Sequence, residues 1–265
     1  MVRSPAIIGL GYSGVKEIQV AMRIVVVSDI HSNLLALEMV LAVAGPHDAL
    51  WCLGDTIGYG PRPNECVALM RQHATIAISG NHDLACLGKI DLRDFNPDAR
   101  KANIWNGEQL SAEHRAWLEG LTPAAPVDAQ FTLAHGSPRE PIWEYLLSPE
   151  QAMANFALFT QAVCLIGHSH VQLGFRLPPG AERCERFLPD RSRTVQLEDQ
   201  TRYFINPGSV GQPRDQDPRA AYAVIDSDSG SVRFNRVEYD IAKTQRQMSE
   251  HGLPSALIKR LEFGM

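Results

Sequence analysis

Cysteine is scarce and poorly spaced for bridging: there are five, at positions 52, 66, 86, 164 and 184, with no CxxC pair. An odd set without close pairs excludes a disulfide framework and a zinc ribbon, and it favours a reducing compartment, the cytoplasm. No run of about 18 apolar residues occurs, so no membrane span is expected. Positive charge is also short. Lys and Arg number 25 against 30 Asp and Glu, a formal net charge of −5. Such a chain lacks the broad basic surface that stable nucleic-acid or anionic-membrane binding demands, although bound cations would still create a local positive site. Glycine (20) and proline (17) are too few for a fibrous or disordered chain, and no internal repeat or low-complexity tract is visible.

The 265 residues suit one large domain or two small ones. Residues 6–12 (AIIGLGY) are mildly apolar, but too short for the apolar core of a signal peptide. Met22-Arg23 stands directly before the first strand-like run. Residues 1–21 therefore read as a loosely attached N-terminal extension, and 22–265 as a single domain.

The first half alternates short β-branched runs with helical patterns. Residues 24–28 (IVVVS) read as a strand buried on both faces. Ser32 reads as the cap of a helix to residue 44, with Leu34, Leu35, Leu37, Val40 and Leu41 on its buried side. A strand over 49–53, a helix from Pro63 to residue 72 and a strand over 74–79 follow. This alternation predicts parallel strands and an α/β architecture. Helices are expected from Asn96-Pro97, Ser111 and Ser148-Pro149, and strands over 130–134 and 162–166. Beyond Val171 the pattern is mostly strand and turn, with a hairpin around Asp228-Ser229-Gly230, then a helix over 240–250 and another after Pro254. Two packed sheets are expected, one mainly parallel and one more antiparallel, with helices outside.

Five polar clusters fall at strand ends, where α/β folds bind ligands. They are Asp29-Ile30-His31, Gly54-Asp55, Gly80-Asn81-His82-Asp83, His135-Gly136 and Gly167-His168-Ser169-His170. The i, i+2 spacing of Asp29/His31 and His168/His170, at an extended strand end, would put each pair on one face. The neighbouring glycines let the backbone turn close to a ligand. Two carboxylates, one amide oxygen and several imidazoles, without thiolate, suit Mn²⁺, Fe, Co²⁺, Ni²⁺ or Zn²⁺ and suit Ca²⁺ poorly. Seven ligands exceed one ion. They fit two ions, about 3.5–4 Å apart, if a carboxylate bridges them, an arrangement that can clamp an in-line displacement at phosphorus. Two divalent cations against two carboxylates leave a net positive pocket, which is how an acidic protein can bind a phosphate ester.

The order DxH, GD, GNHD, H, GHxH over residues 22–239 resembles that of the calcineurin-like metallophosphoesterases. The wording GDTIGYGPRPNECV, HGSPREPIWEYL and NPGSVGQPRD is similar to a bacterial and archaeal branch of small phosphodiesterases. The resemblance implies an α/β fold, a four-layer α-β-β-α sandwich with two mixed β-sheets. It implies that Asp29, His31 and His170 hold one metal, that Asn81, His135 and His168 hold a second, and that Asp55 bridges them. Mn²⁺ is the first choice, with Fe, Zn²⁺, Ni²⁺ or Co²⁺ also compatible. A metal-bridging hydroxide would attack a phosphodiester of small-molecule or nucleotide type, with His82 assisting the leaving group. Tyr59 and Arg139 are the substrate-contact candidates; Trp143 and Arg214 are weaker ones.

One departure stands out. Protein serine/threonine phosphatases and diadenosine tetraphosphatases of the superfamily carry GDxxDRG, whereas this chain reads Gly54-Asp55-Thr56-Ile57-Gly58-Tyr59-Gly60. The Asp that orients the histidine and the phosphate-binding Arg are missing, which disfavours a phosphoprotein phosphatase. Asp83 is not assumed to replace the missing Asp, because neighbouring side chains diverge. A phosphomonoesterase with the same site is the nearest rival. A non-catalytic scaffold of the same fold and a DNA nuclease are more distant ones. His47, His73, His114 and His251 lack a comparable setting, and the cysteines read as small core residues.

Overall fold

The computed structural model describes residues 22–189 and 193–265. The extension expected over residues 1–21 lies outside the described residues. In chain order the first half holds β1 (Arg23–Val27), α1 (Leu34–Val43), β2 (Ala49–Cys52), α2 (Pro63–His73), β3 (Ile76–Ala77), α3 (Asn81–Cys86), α4 (Pro97–Gln109), α5 (Ala112–Glu119), β4 (Ala124–Pro126) and β5 (Phe131–Ala134). The second half holds α6 (Pro149–Phe156), β6 (Val163–Ile166), β7 (Gln172–Leu177), β8 (Glu185–Phe187), β9 (Thr194–Gln196), β10 (Arg202–Pro207), β11 (Ala220–Asp226), β12 (Ser231–Val237), α7 (Ile241–Glu250) and α8 (Ser255–Phe263).

The strands form two six-stranded sheets, ordered β3-β2-β1-β11-β12-β9 and β4-β5-β6-β10-β7-β8. Alternation along β1 shows why they stack. Ile24 and Val26 enter the core between the sheets with Trp51, Leu133, Leu165, Tyr203 and Phe234. Val25 and Val27 face the other way, against Leu37 and Val40 of α1. On the far side, Cys164, Ile166, Phe175 and Phe204 pack under Ala152 and Phe156 of α6. Helix, sheet, sheet and helix thus make four layers, each interface drawn from one face of a period-two strand.

The sheets are equally mixed, which corrects the expected division of labour. Each contains two parallel pairings, β1–β2 and β2–β3 in one, β5–β6 and β6–β10 in the other, and its remaining pairings are antiparallel. The late hairpin β11–β12 completes the first sheet beside β1, so chain halves do not map onto sheets. Helix starts at Asn96, Ser111, Ser148 and Asp240 carry side-chain caps as their residue types dictate. The cap of α1 is Asn33 rather than Ser32, because the Ser32 hydroxyl donates to Asn106 Oδ1 (2.6 Å).

The parallel pairings fix the site's location. The carboxyl ends of β1, β2 and β3 emerge at one edge, as do those of β5, β6 and β10 in the other sheet. All five polar clusters follow these ends, four on loops and the Asn81-His82-Asp83 cluster on the first turn of α3.

Candidate metal centre

The seven ligand candidates are buried, from Asp29, Asp55 and His135 at 0% exposure to Asn81 and His168 at 3%. His31 Nε2 lies 3.1 Å from His170 Nε2, 3.7 Å from Asp55 Oδ2 and 3.9 Å from Asp29 Oδ1. Asp29 Oδ1 is 3.3 Å from His170 Nε2. On the other flank of Asp55, His135 Nε2 is 3.4 Å from Oδ2 and 3.2 Å from Asn81 Oδ1. Ligand atoms of Asp29, His31, Asp55 and His170 lie within 4.8 Å of one another, as do those of Asp55, His135 and His168. Asp55 belongs to both groups.

These side chains converge by a route that differs from the strand-end expectation. Asp29, His31, Asp55, His168 and His170 have φ between 50° and 64°, the left-handed region, so the i, i+2 pairs are not extended. Such backbone is costly for residues with a Cβ and persists where its surroundings over-determine it. Here the loops hold one another: the N–H groups of Asp29 and His31 donate to the Gly54 and Asp55 carbonyls (3.0 Å each), and the Gly211 N–H donates to the Asp29 carbonyl (3.0 Å). Gly80 serves close approach, since a Cβ there would overlap the Asp55 carboxylate.

The donor set fits cations. His31, His170 and His135 each donate Nδ1–H to a carbonyl, of Ile57 (3.2 Å), Gln212 (2.5 Å) and Leu53 (2.8 Å) respectively. Their Nε2 atoms therefore face the cluster, oriented by outer partners as in metal sites. Burial opposes protonation of His135, but Asp55 beside it lifts that ring to about 9, so a cation bound there would displace its Nε2 proton. The lone pairs of His31 and His170 meet at 3.1 Å with no proton to share, an arrangement that a cation between them relieves. Asp29 Oδ1, Asp55 Oδ2 and His168 Nε2 are buried without a hydrogen-bond partner. Burial holds His31 and His170 well below the ordinary imidazole pKa, and pushes His168 down to about 3 and His82 to about 4. These four rings are neutral at neutral pH, and those of His31, His168 and His170 are thus free to act as ligands. Burial, reinforced by Asp55, raises Asp29 to about 7. Burial would likewise raise Asp55, but the protonated His135 ring beside it outweighs burial and keeps that carboxyl ionised.

His82 sits on the first turn of α3. Its N–H donates to Asp55 Oδ1 (2.8 Å), and its Nδ1 donates to Asn103 Oδ1 (2.7 Å). Asp83 turns away and accepts from the N–H groups of Gly80 (2.9 Å) and Ile57 (3.1 Å). Tyr59 packs its ring 4.2 Å from that of His82 and 4.6 Å from that of His31. Arg139 is engaged elsewhere, with its guanidinium on Glu144 and its N–H on Asn155. Trp143 lies against Phe95, which in turn stacks on His82.

Sequence reasoning missed Asn103, Asn106 and the role of Gln212. Asn103 and Asn106 occupy inward positions of α4 beside Ala99 and Ala102, all nearly or fully buried. Amides on an otherwise small apolar helix face are the signal that would have found them, because buried polar groups need partners.

A family model described as the calcineurin-like phosphoesterase superfamily domain matches residues 22–230. The chain belongs to that superfamily. An uncharacterized protein of Methanocaldococcus jannaschii is 36% identical over 91% of this chain and 98% of its own length. The crystal structure of a metallophosphoesterase from Sphaerobacter thermophilus matches with a TM-score of 0.84 and 48% identity, covering 92% of this chain and 100% of that one. A hypothetical protein from Pyrococcus horikoshii, at 19% identity and a TM-score of 0.74 over 92% of this chain and 98% of that one, shares the fold.

Within the superfamily, the departure at Gly58 has a structural counterpart. A Cβ built on Gly58 would fall 2.9 Å from His82 Nδ1 and 3.1 Å from Asn103 Oδ1. Asn103 therefore occupies the space beside the histidine that a side chain at position 58 would enter. Among the described residues, no helix is long and apolar enough to cross a membrane.

Proposed function

We propose that the protein is a dinuclear-metal phosphoesterase that hydrolyses a phosphodiester of small-molecule or nucleotide type. Asp55 carries the reading: its buried, unpartnered Oδ2 belongs to both ligand groups. Asp29, His31 and His170 would hold one divalent ion and Asn81, His135 and His168 the other, with Asp55 between them. Divalent cations there would polarise a phosphoryl oxygen and make a nucleophile of water at neutral pH. Mn²⁺ is our first choice, and the oxygen and nitrogen donors also accept Fe, Zn²⁺, Ni²⁺ or Co²⁺.

The chain's own contribution is positioning and proton transfer. With Nδ1 committed to Asn103, His82 has Nε2 left for the leaving oxygen. A bound phosphoryl anion favours the imidazolium form, which donates its Nε2 proton as the ester bond breaks; such help contributes typically about 10²–10⁴-fold. Tyr59, packed on both His31 and His82, lines the approach. Arg139, held by Glu144 on the loop after β5, is the more remote candidate. Five buried, unpaired cysteines support a reducing compartment, the cytoplasm.

The test compares bis-p-nitrophenyl phosphate with p-nitrophenyl phosphate, each with Mn²⁺, Zn²⁺, Ni²⁺ and Co²⁺, alongside metal analysis. Two bound ions and faster turnover of the diester are expected. Preference for the monoester would make the protein a phosphomonoesterase. Metal binding without turnover of either would leave a scaffold.

A further inference from the structure

The segment after β10 has two tasks. It braces the cluster: the Gln212 carbonyl accepts from His170 Nδ1, and the Arg214 N–H donates to the His170 carbonyl (3.2 Å). It also delivers a cation. Arg214 Nη2 donates to Gln212 Oε1 (3.0 Å) and lies 3.4 Å from the Tyr59 hydroxyl. Its Cζ is 5.9 Å from the centre of the Tyr59 ring, which itself packs on His31 and His82. Beyond the dominant effect of burial, Arg214 is among the groups that disfavour protonation of His31, His82, His168 and His170. Through Tyr59 and the His170 carbonyl, the guanidinium-bearing residue adjoins the ligand cluster.

A second guanidinium stands beside the first. Arg260, on α8, donates from Nη1 to the same Gln212 Oε1 (3.2 Å) and from Nε to the main-chain oxygen of Met265 (2.5 Å). Among the described residues neither Arg214 nor Arg260 has a carboxylate side chain within 4.0 Å, whereas Arg139, Arg219 and Arg236 each do. The acids nearest Arg214 in sequence are taken: Asp215 by Arg236 and Asp217 by Arg219. Arg214 Nε and Gln212 Nε2 are both buried with no acceptor. Buried donors are ordinarily partnered, and two cations sharing one neutral oxygen repel. One occupant answers both conditions, an oxyanion that accepts from the free donors and neutralises the pair.

We propose that Arg214 and Arg260, with the Gln212 amide, form an anion seat at the rim of the metal cluster, and that the preferred substrate carries a second phosphoryl group besides the one that reacts. The proposal rests on the phosphoesterase reading and narrows its substrate class. The reacting phosphoryl group belongs to the metal ligands and His82. A simple diester carries one negative charge there and leaves the Arg214 guanidinium, held only by neutral groups, without an anionic partner. A nucleotide ester with another phosphoryl group, across the sugar or in a diphosphate, supplies the missing oxygens.

Three chromogenic esters separate these cases, all releasing p-nitrophenolate: thymidine 5′-(p-nitrophenyl phosphate), the same ester bearing a 3′-phosphate, and the p-nitrophenyl ester of thymidine 5′-diphosphate. Wild-type protein with Mn²⁺ should favour at least one doubly phosphorylated ester in kcat/KM. Arg214→Met should lower that preference about tenfold or more, the scale of a lost charge-assisted hydrogen bond, and Arg260→Met should lower it less. Because each ratio compares two esters on one protein, partial misfolding cancels. Equilibrium dialysis gives a second readout: thymidine 3′,5′-bisphosphate should bind more tightly than thymidine 5′-phosphate, with the difference reduced in Arg214→Met while bound metal stays at the wild-type level. If wild type turns over the singly phosphorylated ester and neither the kinetic preference nor the binding difference depends on either arginine, the seat is overturned and the phosphoesterase reading stands. If wild type hydrolyses none of the three or the bis-p-nitrophenyl ester, the reading beneath the proposal falls with it.

Discussion

His82 Nδ1 and Asn103 Oδ1 are 2.7 Å apart, a buried hydrogen bond linking the first turn of α3 to the middle of α4. The bond selects one tautomer, with the proton on Nδ1, and leaves Nε2 as the ring nitrogen open to the site. A neutral amide oxygen does this without adding negative charge beside the two cluster carboxylates. The space for it exists because position 58 is glycine, at φ +95° and with its missing Cβ directed at the same ring nitrogen.

Asn103 should therefore act on the reaction only through His82. Asn103→Leu is expected to lower kcat about 10- to 100-fold, less than loss of a general acid altogether, with KM and bound metal close to wild type. Asn103→Asp keeps an acceptor at the same place and should retain more of the rate. In a His82→Ala background, Asn103→Leu should have no further effect on kcat, the non-additive outcome for residues acting as a unit. Additive losses in the double variant would show that Asn103 only supports the fold.

Much of this was legible in the sequence, for identifiable reasons. The continuous run at Ile24 to Val27 can only be a strand covered on both faces, and the helix starts at Asn96, Ser111 and Ser148 announce themselves by side chain. The cluster residues were legible as types at strand ends. Their backbone was not, because the left-handed φ values of Asp29, His31, His168 and His170 are imposed by hydrogen bonds from loops distant in sequence. The short helix after Gly80 was missed because its six residues carry a polar start, with Asp83 reaching back to the Gly80 N–H. Two mixed sheets followed from the family resemblance; the periodicity alone divided parallel from antiparallel strands wrongly, because β10 and β11 join sheets built earlier in the chain, a choice no local pattern encodes.

Asp55 and His82 should separate metal binding from chemistry. Asp55→Asn removes the charge shared by both ligand groups, and bound metal and activity should fall together, measured by elemental analysis and turnover on one sample. His82→Ala should keep the metal content and lose rate, about 10²-fold or more. Full turnover by either variant would remove the role assigned to that residue.

Gly58→Ala tests the packing around the histidine. The new Cβ would press on His82 Cβ and Nδ1 (2.9 Å each), and an L residue is strained at φ +95°. The melting temperature should fall by several degrees, about 2–4 °C for each kcal/mol in a chain of this size. Turnover should fall further than that loss of folded protein explains, since the ring that must move is His82. An unchanged kcat would mean that the ring does not need its observed position.

Glu144 gives the fold a pH dependence remote from the ligands. Its carboxylate accepts from Ser137 Oγ (2.5 Å), Asn155 Nδ2 (3.0 Å) and Arg139, tying the loop after β5 to α6. Burial opposes ionisation, but Arg139, Ser137 and Asn155 together hold the carboxyl below its ordinary value of 4.5. A group with a depressed pKa in the folded state stabilises fully above its unfolded pKa and loses that contribution as pH falls through the folded value. Glu144→Gln should therefore lower the melting temperature at pH 7 by a few degrees, corresponding to about 1 kcal/mol once the exposure of Arg139 is discounted. Below pH 4.5 the wild-type carboxyl begins to take up its proton, and the two melting temperatures should converge. Because Ser137 and Arg139 follow His135 directly on this loop, the loosened variant should also show a higher KM at pH 7. A melting difference that stays constant from pH 7 down to pH 4 would assign the loss to side-chain packing instead of charge.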